Sequence, residues 1–220
     1  MIARELISDE IPPLKTSDTG DKAREWMQEF MVKQLPIVNN KQLLGLVQEE
    51  DIIDLSKPEE ALGNHQLSLL NPDMGENTHF YDIVRAIVNL KLSLVPVVDQ
   101  DRNYLGSITI HDILNAFSRI SSIGDTGGIL VLQVSQNDYS LAEIARIVEE
   151  ENARILSSYI FTEPNTTEME INLKINASDL STIEATFERF EYIVKGSYQQ
   201  PGYYDDLKDH YESLMNFLNV

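Results

Sequence analysis

The chain contains no cysteine among its 220 residues. Disulfides, thiolate metal sites and cysteine nucleophiles are therefore excluded. Basic residues are also scarce, 17 Lys and Arg against 36 Asp and Glu, for a formal net charge of -19. Duplex nucleic acid and anionic membrane surfaces both demand clustered positive charge, so neither is an expected partner. Long apolar runs are missing: none approaches the ~18 residues of a membrane-spanning helix. Met1–Glu10 carries acids where a signal peptide would be apolar, so the expected location is the cytoplasm. Hydrophobic residues nevertheless make up 42%. That is enough for packed cores and too many for a disordered acidic chain.

What is present is a repeat. Leu35-Pro36-Ile37-Val38-Asn39, a polar turn and Leu43-Leu44-Gly45-Leu46-Val47 lead to Asp51-Ile52-Ile53. Val95-Pro96-Val97-Val98-Asp99, a polar turn and Tyr104-Leu105-Gly106-Ser107-Ile108 lead to Asp112-Ile113-Leu114. Leu35 corresponds to Val95 and Asp51 to Asp112, so the offset is 60 at the start and 61 after the longer second turn. Two short apolar runs joined by Asn- and Asp-rich residues read as a hairpin. A helical pattern precedes each one. The first carries Ala23, Trp26, Met27, Phe30 and Met31, with Thr16-Ser17-Asp18 as the expected cap. The second carries Phe80, Ile83, Val84, Ile87 and Leu90, with Asn77-Thr78 as the cap. Short helices are expected after the hairpins at Glu50–Leu55 and His111–Phe117. Ile11–Leu14 and Leu69–Pro72 read as the strands that open the units. Each helix–strand–strand–helix unit is too small to bury its own sheet, so the two should pack together.

The second half has another rhythm. Ser121–Gly128 is small, polar and Gly-rich; it has no Walker lysine and reads as a linker. Beyond it, Ile129–Val134 reads as a strand, Leu141–Val148 as a helix, Ala153–Thr162 and Glu168–Ile175 as paired strands, Leu180–Phe190 as a helix and Tyr192–Tyr198 as a last strand. The order βαββαβ is a split βαβ, ferredoxin-like unit. After Pro201-Gly202, Tyr204, Leu207, Tyr211, Leu214 and Leu218 recur at three and four, an apolar helical stripe. The expected division is 1–122 for the repeat pair (about 1–60 and 61–122), 123–128 for the linker, 129–200 for the βαββαβ domain and 201–220 for a terminal helix. The fold class is α+β.

The leucine- or valine-proline opening, the hairpin glycine and the aspartate ending, each present twice, resemble the CBS-domain pair, or Bateman module. The βαββαβ segment is similar in order and length to an ACT domain, and the combination resembles acetoin-utilisation-type CBS/ACT regulatory proteins. The CBS resemblance implies clefts between the units that take adenosine compounds such as AMP, ATP or S-adenosylmethionine. It implies that a threonine or serine, three residues before an aspartate, sits at the cleft and that the aspartate accepts ribose hydroxyls. Thr109-Ile110-His111-Asp112 fits this pattern. In the first repeat Asp51 is present, but Gln48 stands where the hydroxyl belongs. Leu94, Val95 and Pro96 are the implied wall for adenine, and His111 and Arg102 the nearest candidates for a phosphate. Thr-x-x-Asp is equally the pattern of a helix cap, with Asp112 at the positive helix end. The ACT resemblance implies an amino-acid site at the turn after the first strand, where Asn137 and Asp138 lie. That turn lacks the family's proline and glycine, and both residues also suit a turn before a Ser140 cap.

Catalytic signals fail. His65, His79, His111 and His210 are scattered, no HExxH occurs, and no serine sits in a nucleophile elbow. Neither an enzyme nor a required cofactor or resident metal is expected. The expected function is a non-catalytic regulatory sensor of an adenosine-type ligand, with the ACT-like domain for oligomerisation or a second ligand. CBS pairs and ACT domains commonly self-associate, which implies a homodimer. The alternative is an assembly module with empty clefts.

Overall fold

The computed structural model describes residues 1–162, 164 and 166–199. Its chain divides into two compact units, Met1–Phe117 and Ser118–Val220. The stripe expected between 201 and 220 lies outside the described residues, as do Glu163 and Asn165 of one expected turn.

In the first unit, α1 (Gly20–Glu29), β1 (Gln34–Asn39), β2 (Gln42–Gln48) and α2 (Glu49–Ile53) make the first repeat. The short strand β3 (Met74–Gly75), then α3 (Phe80–Leu90), β4 (Leu94–Val98), β5 (Tyr104–Thr109) and α4 (Ile110–Ile120) make the second. Both expected caps shift towards their helices. Thr19, not Thr16–Asp18, accepts the Lys22 amide at 3.2 Å. His79, not Asn77 or Thr78, accepts the Tyr81 amide through Nδ1 at 3.3 Å. Asp18 is occupied instead by the Lys15 amide and the Lys22 ammonium. Both helices stop in the same way: Met31 and Lys91 enter left-handed backbone at φ 53° and 52°, and the next amide bonds back to Met27 and Ile87. This turn throws Met31 out of its expected apolar face, leaving it 90% exposed.

The hairpins are equivalent down to their irregularities, with a bulge between Ile37 and Val38 in one and between Val97 and Val98 in the other. Leu14 pairs in parallel with Ile37, and Met74 with Val97. The opening strand of the second repeat is thus Met74–Gly75, and Leu69–Pro72 serves another purpose. Leu70 bridges to Leu46 of the first hairpin, while Ser8 bridges to Ser107 of the second. Each lead-in crosses to the other repeat. This crossing explains the repeated glycine. Gly45 and Gly106 both sit at φ 149°, and a Cβ would lie 2.8 Å from Leu69 at one and 2.4 Å from Ile7 at the other. The repeats also meet at Gln34, whose Oε1 accepts both the amide and the hydroxyl of Ser93 at 2.9 and 2.7 Å. One continuous core includes Leu14, Leu35, Leu46, Ile83, Leu94 and Ile108.

The second unit runs β6 (Gly128–Ser135), α5 (Leu141–Glu150), β7 (Ile155–Thr162), β8 (Glu168–Ile175), α6 (Ser181–Arg189) and β9 (Ile193–Tyr198). The strands are ordered β7-β8-β6-β9 and every neighbour is antiparallel. That is the ferredoxin-like arrangement read from the sequence. Alternation along β6 sends Leu130, Leu132 and Val134 into a core with Ile144, Ile147, Leu173 and Phe187. Ile129 and Val131 face the other way. Ser140 caps α5 by accepting the Glu143 amide at 3.3 Å. At the acidic end of α5, Arg146 pairs with Glu150 at 3.0 Å, and the Arg154 amide bonds to the Asn176 side chain. Among the described residues no helix is long and apolar enough to cross a membrane, and no group of three or more acids and histidines is arranged to hold a metal ion.

Candidate functional site

The end of β5 delivers Thr109 and Asp112 to the start of α4. Thr109 is 9% exposed. Its Oγ1 accepts the Asp112 amide at 3.1 Å and donates to Asp112 Oδ2 at 2.6 Å. The same Oδ2 accepts the Thr109 amide at 2.8 Å. This reciprocal arrangement is a capping box with aspartate in place of glutamate. Both sequence readings therefore meet in one group: Oδ2 is committed to the cap, while Oδ1 has no hydrogen-bond partner among the described residues.

The first repeat is built differently at the matching place. Gln48 precedes α2 but makes no side-chain cap bond, and Glu49, Glu50 and Asp51 crowd a helix of five residues. Asp51 is half-buried, and its Oδ2 is buried with no partner. A buried oxygen left unpaired costs about 1–3 kcal/mol. Loss of the hydroxyl at position 48 thus leaves a carboxylate unsatisfied. The glutamine three residues before Asp51 is the sequence signal for that difference.

The other expected contributors are placed less favourably. Leu94 and Val95 are fully buried and Pro96 is buried. All three are spent on the core and do not form an exposed apolar wall, because β4 is buried on both sides. His111 is exposed on α4. Arg102 already holds Asp73 at 3.1 Å, so its charge is partly committed. A hollow of about 270 Å³ in this unit is lined by Gly75, Thr78, Val98 and Asp99 among others. It lies at the far end of β4 from Thr109, which pairs with Leu94.

In the second unit Asn137 and Asp138 are both exposed, and their amides bond back to Ser135. Asp138 borders a hollow of about 490 Å³ with Glu143, Glu168, Glu191 and Tyr192; Asn137 does not. No Lys or Arg lines it among the described residues, so nothing charged is offered to an amino acid's carboxylate. Burial, and then the Glu143 carboxylate that accepts its hydroxyl at 3.0 Å, push the Tyr192 phenol up to about 12.

Comparison with known proteins bears on the first unit. Residues 74–119 match the family model described as CBS domain. Several solved structures are similar over about half of this chain. A CBS domain pair/ACT domain protein from Thermotoga maritima is 20% identical, with TM-score 0.48 over 53% of this chain and 96% of that one. CBSX2, a CBS-pair protein from Arabidopsis thaliana, in complex with AMP, is 22% identical, with TM-score 0.47 over 54% and 97%. The CBS domains of a transcriptional regulator from Streptococcus pneumoniae are 20% identical, with TM-score 0.47 over 52% and 98%. The matched segment spans β3 to α4, and the same elements with the same bulge and the same glycine occur once before it. Residues 74–119 are thus similar to a CBS domain, and the repeat before them has the same elements.

Proposed function

We propose that the CBS pair senses a small adenosine-containing molecule and that the chain is a regulatory protein without a reaction of its own. The observation that carries this reading is the pair Asp51 and Asp112. They occupy matching places after β2 and β5, and each keeps a carboxylate oxygen without a partner among the described residues. Paired ribose hydroxyls are good donors to such an oxygen, and a hydrogen bond to a charged acceptor contributes about 1.5–3 kcal/mol. Charge narrows the ligand class. Arg102 is engaged by Asp73 and the chain is strongly acidic, so a triphosphate is poorly neutralised. Adenosine, its monophosphate or an adenosyl sulfonium fits better. Binding biases the arrangement of the two repeats, which the ferredoxin-like, ACT-like unit or a partner reads out. In this reading the protein works as a cytoplasmic homodimer.

The test is a thermal-shift series with AMP, ADP, ATP, S-adenosylmethionine and free amino acids, on the chain and on Asp51→Ala and Asp112→Ala. A stabilisation by an adenosine compound that either substitution abolishes supports sensing. No shift with any adenosine compound sinks it. One observation favours a second reading: Thr109 and Asp112 satisfy each other as a cap. If their role ends there, the pair is an assembly module, and Asp112→Ala lowers stability with no ligand to lose.

A further inference from the structure

The two aspartates offered to a ligand are not equally free to take it. Asp112 Oδ2 already accepts the Thr109 amide at 2.8 Å and the Thr109 hydroxyl at 2.6 Å, so one oxygen, Oδ1, is left over. The Asp51 carboxylate has no hydrogen-bond or ion-pair partner among the described residues; its Oδ2 is covered and its Oδ1 is not.

The backbone does not make this difference. Gln48 pairs with Gln34 at the end of the first hairpin, as Thr109 pairs with Leu94 at the end of the second. The helix after each hairpin then starts with the same bond: the Glu49 amide donates to the Lys33 carbonyl at 2.9 Å, and the Ile110 amide to the Ser93 carbonyl at 3.2 Å. What differs is the side chain three residues before the aspartate. A threonine hydroxyl donates and accepts on a short stem, so it closes on Asp112 from both sides. Gln48 carries its amide on a longer stem and makes no cap bond.

Hydrogen-bond capacity then decides which place binds better. A ribose cis-diol brings two hydroxyl donors. Asp51 can take one on each oxygen, and one of those oxygens is buried without the bond it needs. The diol meets the open Oδ1 first, and α2, five residues long and uncapped, is the part that can turn to present Oδ2. At Asp112 the second hydroxyl has to displace Thr109 and open the cap of an 11-residue helix.

Resting on the adenosine-sensing reading, we infer that the first repeat holds the tighter of the two sites, with Asp51 taking both ribose hydroxyls and Gln48 keeping Asp51 free. The repeat that fits the Thr-x-x-Asp pattern is the weaker site, because its own threonine competes with the ligand.

Calorimetric titration of the full chain with AMP, and with 2′-deoxy-AMP as a probe lacking one hydroxyl, tests this. The expected result is a tight step of one AMP per chain, at least about tenfold tighter than any second step and weakened about tenfold or more for the deoxy probe. Asp51→Asn should remove the tight step, whereas Asp112→Asn should act on the weak one. Gln48→Thr is the discriminating variant: it should raise the denaturation midpoint and weaken the tight step about tenfold, since the new hydroxyl competes for Asp51. Two equal steps, a tight step lost in Asp112→Asn but kept in Asp51→Asn, or a stabilised Gln48→Thr that binds AMP as tightly as the parent overturn the proposal and leave sensing intact. Where Gln48→Thr fails to fold, the two asparagine variants decide. No binding of AMP, adenosine or S-adenosylmethionine removes the sensing reading and this inference with it.

Discussion

The two repeats of the first unit share a backbone plan and differ in one side chain that matters. Bulges, left-handed helix ends and hairpin glycines coincide at offsets of 60 or 61 residues. Yet α4 runs for 11 residues behind a closed Thr109–Asp112 cap, and α2 runs for five behind Gln48 with no cap. Symmetry of fold therefore does not carry symmetry of site. A single hydroxyl decides whether the following aspartate is spent on its own helix or kept unsatisfied.

The comparison can be broken first at its most symmetric point. Gly106→Val and Gly45→Val should each destabilise by about 2–5 kcal/mol, from overpacking against the crossed lead-ins and from a backbone angle that side chains avoid. Chemical denaturation that finds one substitution mild would show the crossing to be unequal. Where the repeats differ, the signs should differ too. Asp112→Asn weakens a charged acceptor of two bonds and should cost about 1–2 kcal/mol. Asp51→Asn removes an unpaired charge and should be neutral or stabilise the unliganded protein. Gln48→Thr should add about 0.5–1 kcal/mol by supplying the missing cap. Equal losses for both asparagine variants would refute the proposed difference.

The smallest effect lies in the other unit, which serves as a reference. The Tyr192 phenol is raised above its ordinary value of 10.0 to about 12, so the neutral form is favoured by folding. Its contribution is full below pH 10 and is lost as pH rises from there through about 12. Tyr192→Phe should flatten that alkaline loss, read as unfolding midpoints across the range, and leave the repeat pair unaffected. A loss of the same size in the variant would assign it elsewhere.

Much of this was legible in the residues. Alternation and helical spacing located the elements of both units, because burial on one face writes a period into the sequence. Caps were misplaced by one to three residues because several hydroxyl and carboxylate side chains compete near each helix start. Thr19 won over Ser17 and Asp18, the latter having been taken by Lys22. The resemblance implies Leu94, Val95 and Pro96 as a ligand wall, but their residues equally suit a core strand, and burial places them there. The crossing of Leu70 and Ser8 had no local signature, since nothing in either segment names its distant partner. The glycine at each hairpin was its trace, visible but unexplained.

That crossing bears on how the protein is made. Ser8 must wait for Ser107, 99 residues later (8 to 107), before its backbone is paired. Leu46 must likewise wait for Leu70. While the chain emerges from the ribosome, the first repeat lacks part of its sheet until the second lead-in is synthesised. The N-terminal segment first pairs with residues 76–79, and Ser8 only once Ser107 is out. Contacts closed over such separations slow folding, so the repeat pair should assemble as one late step and not as two successive repeats.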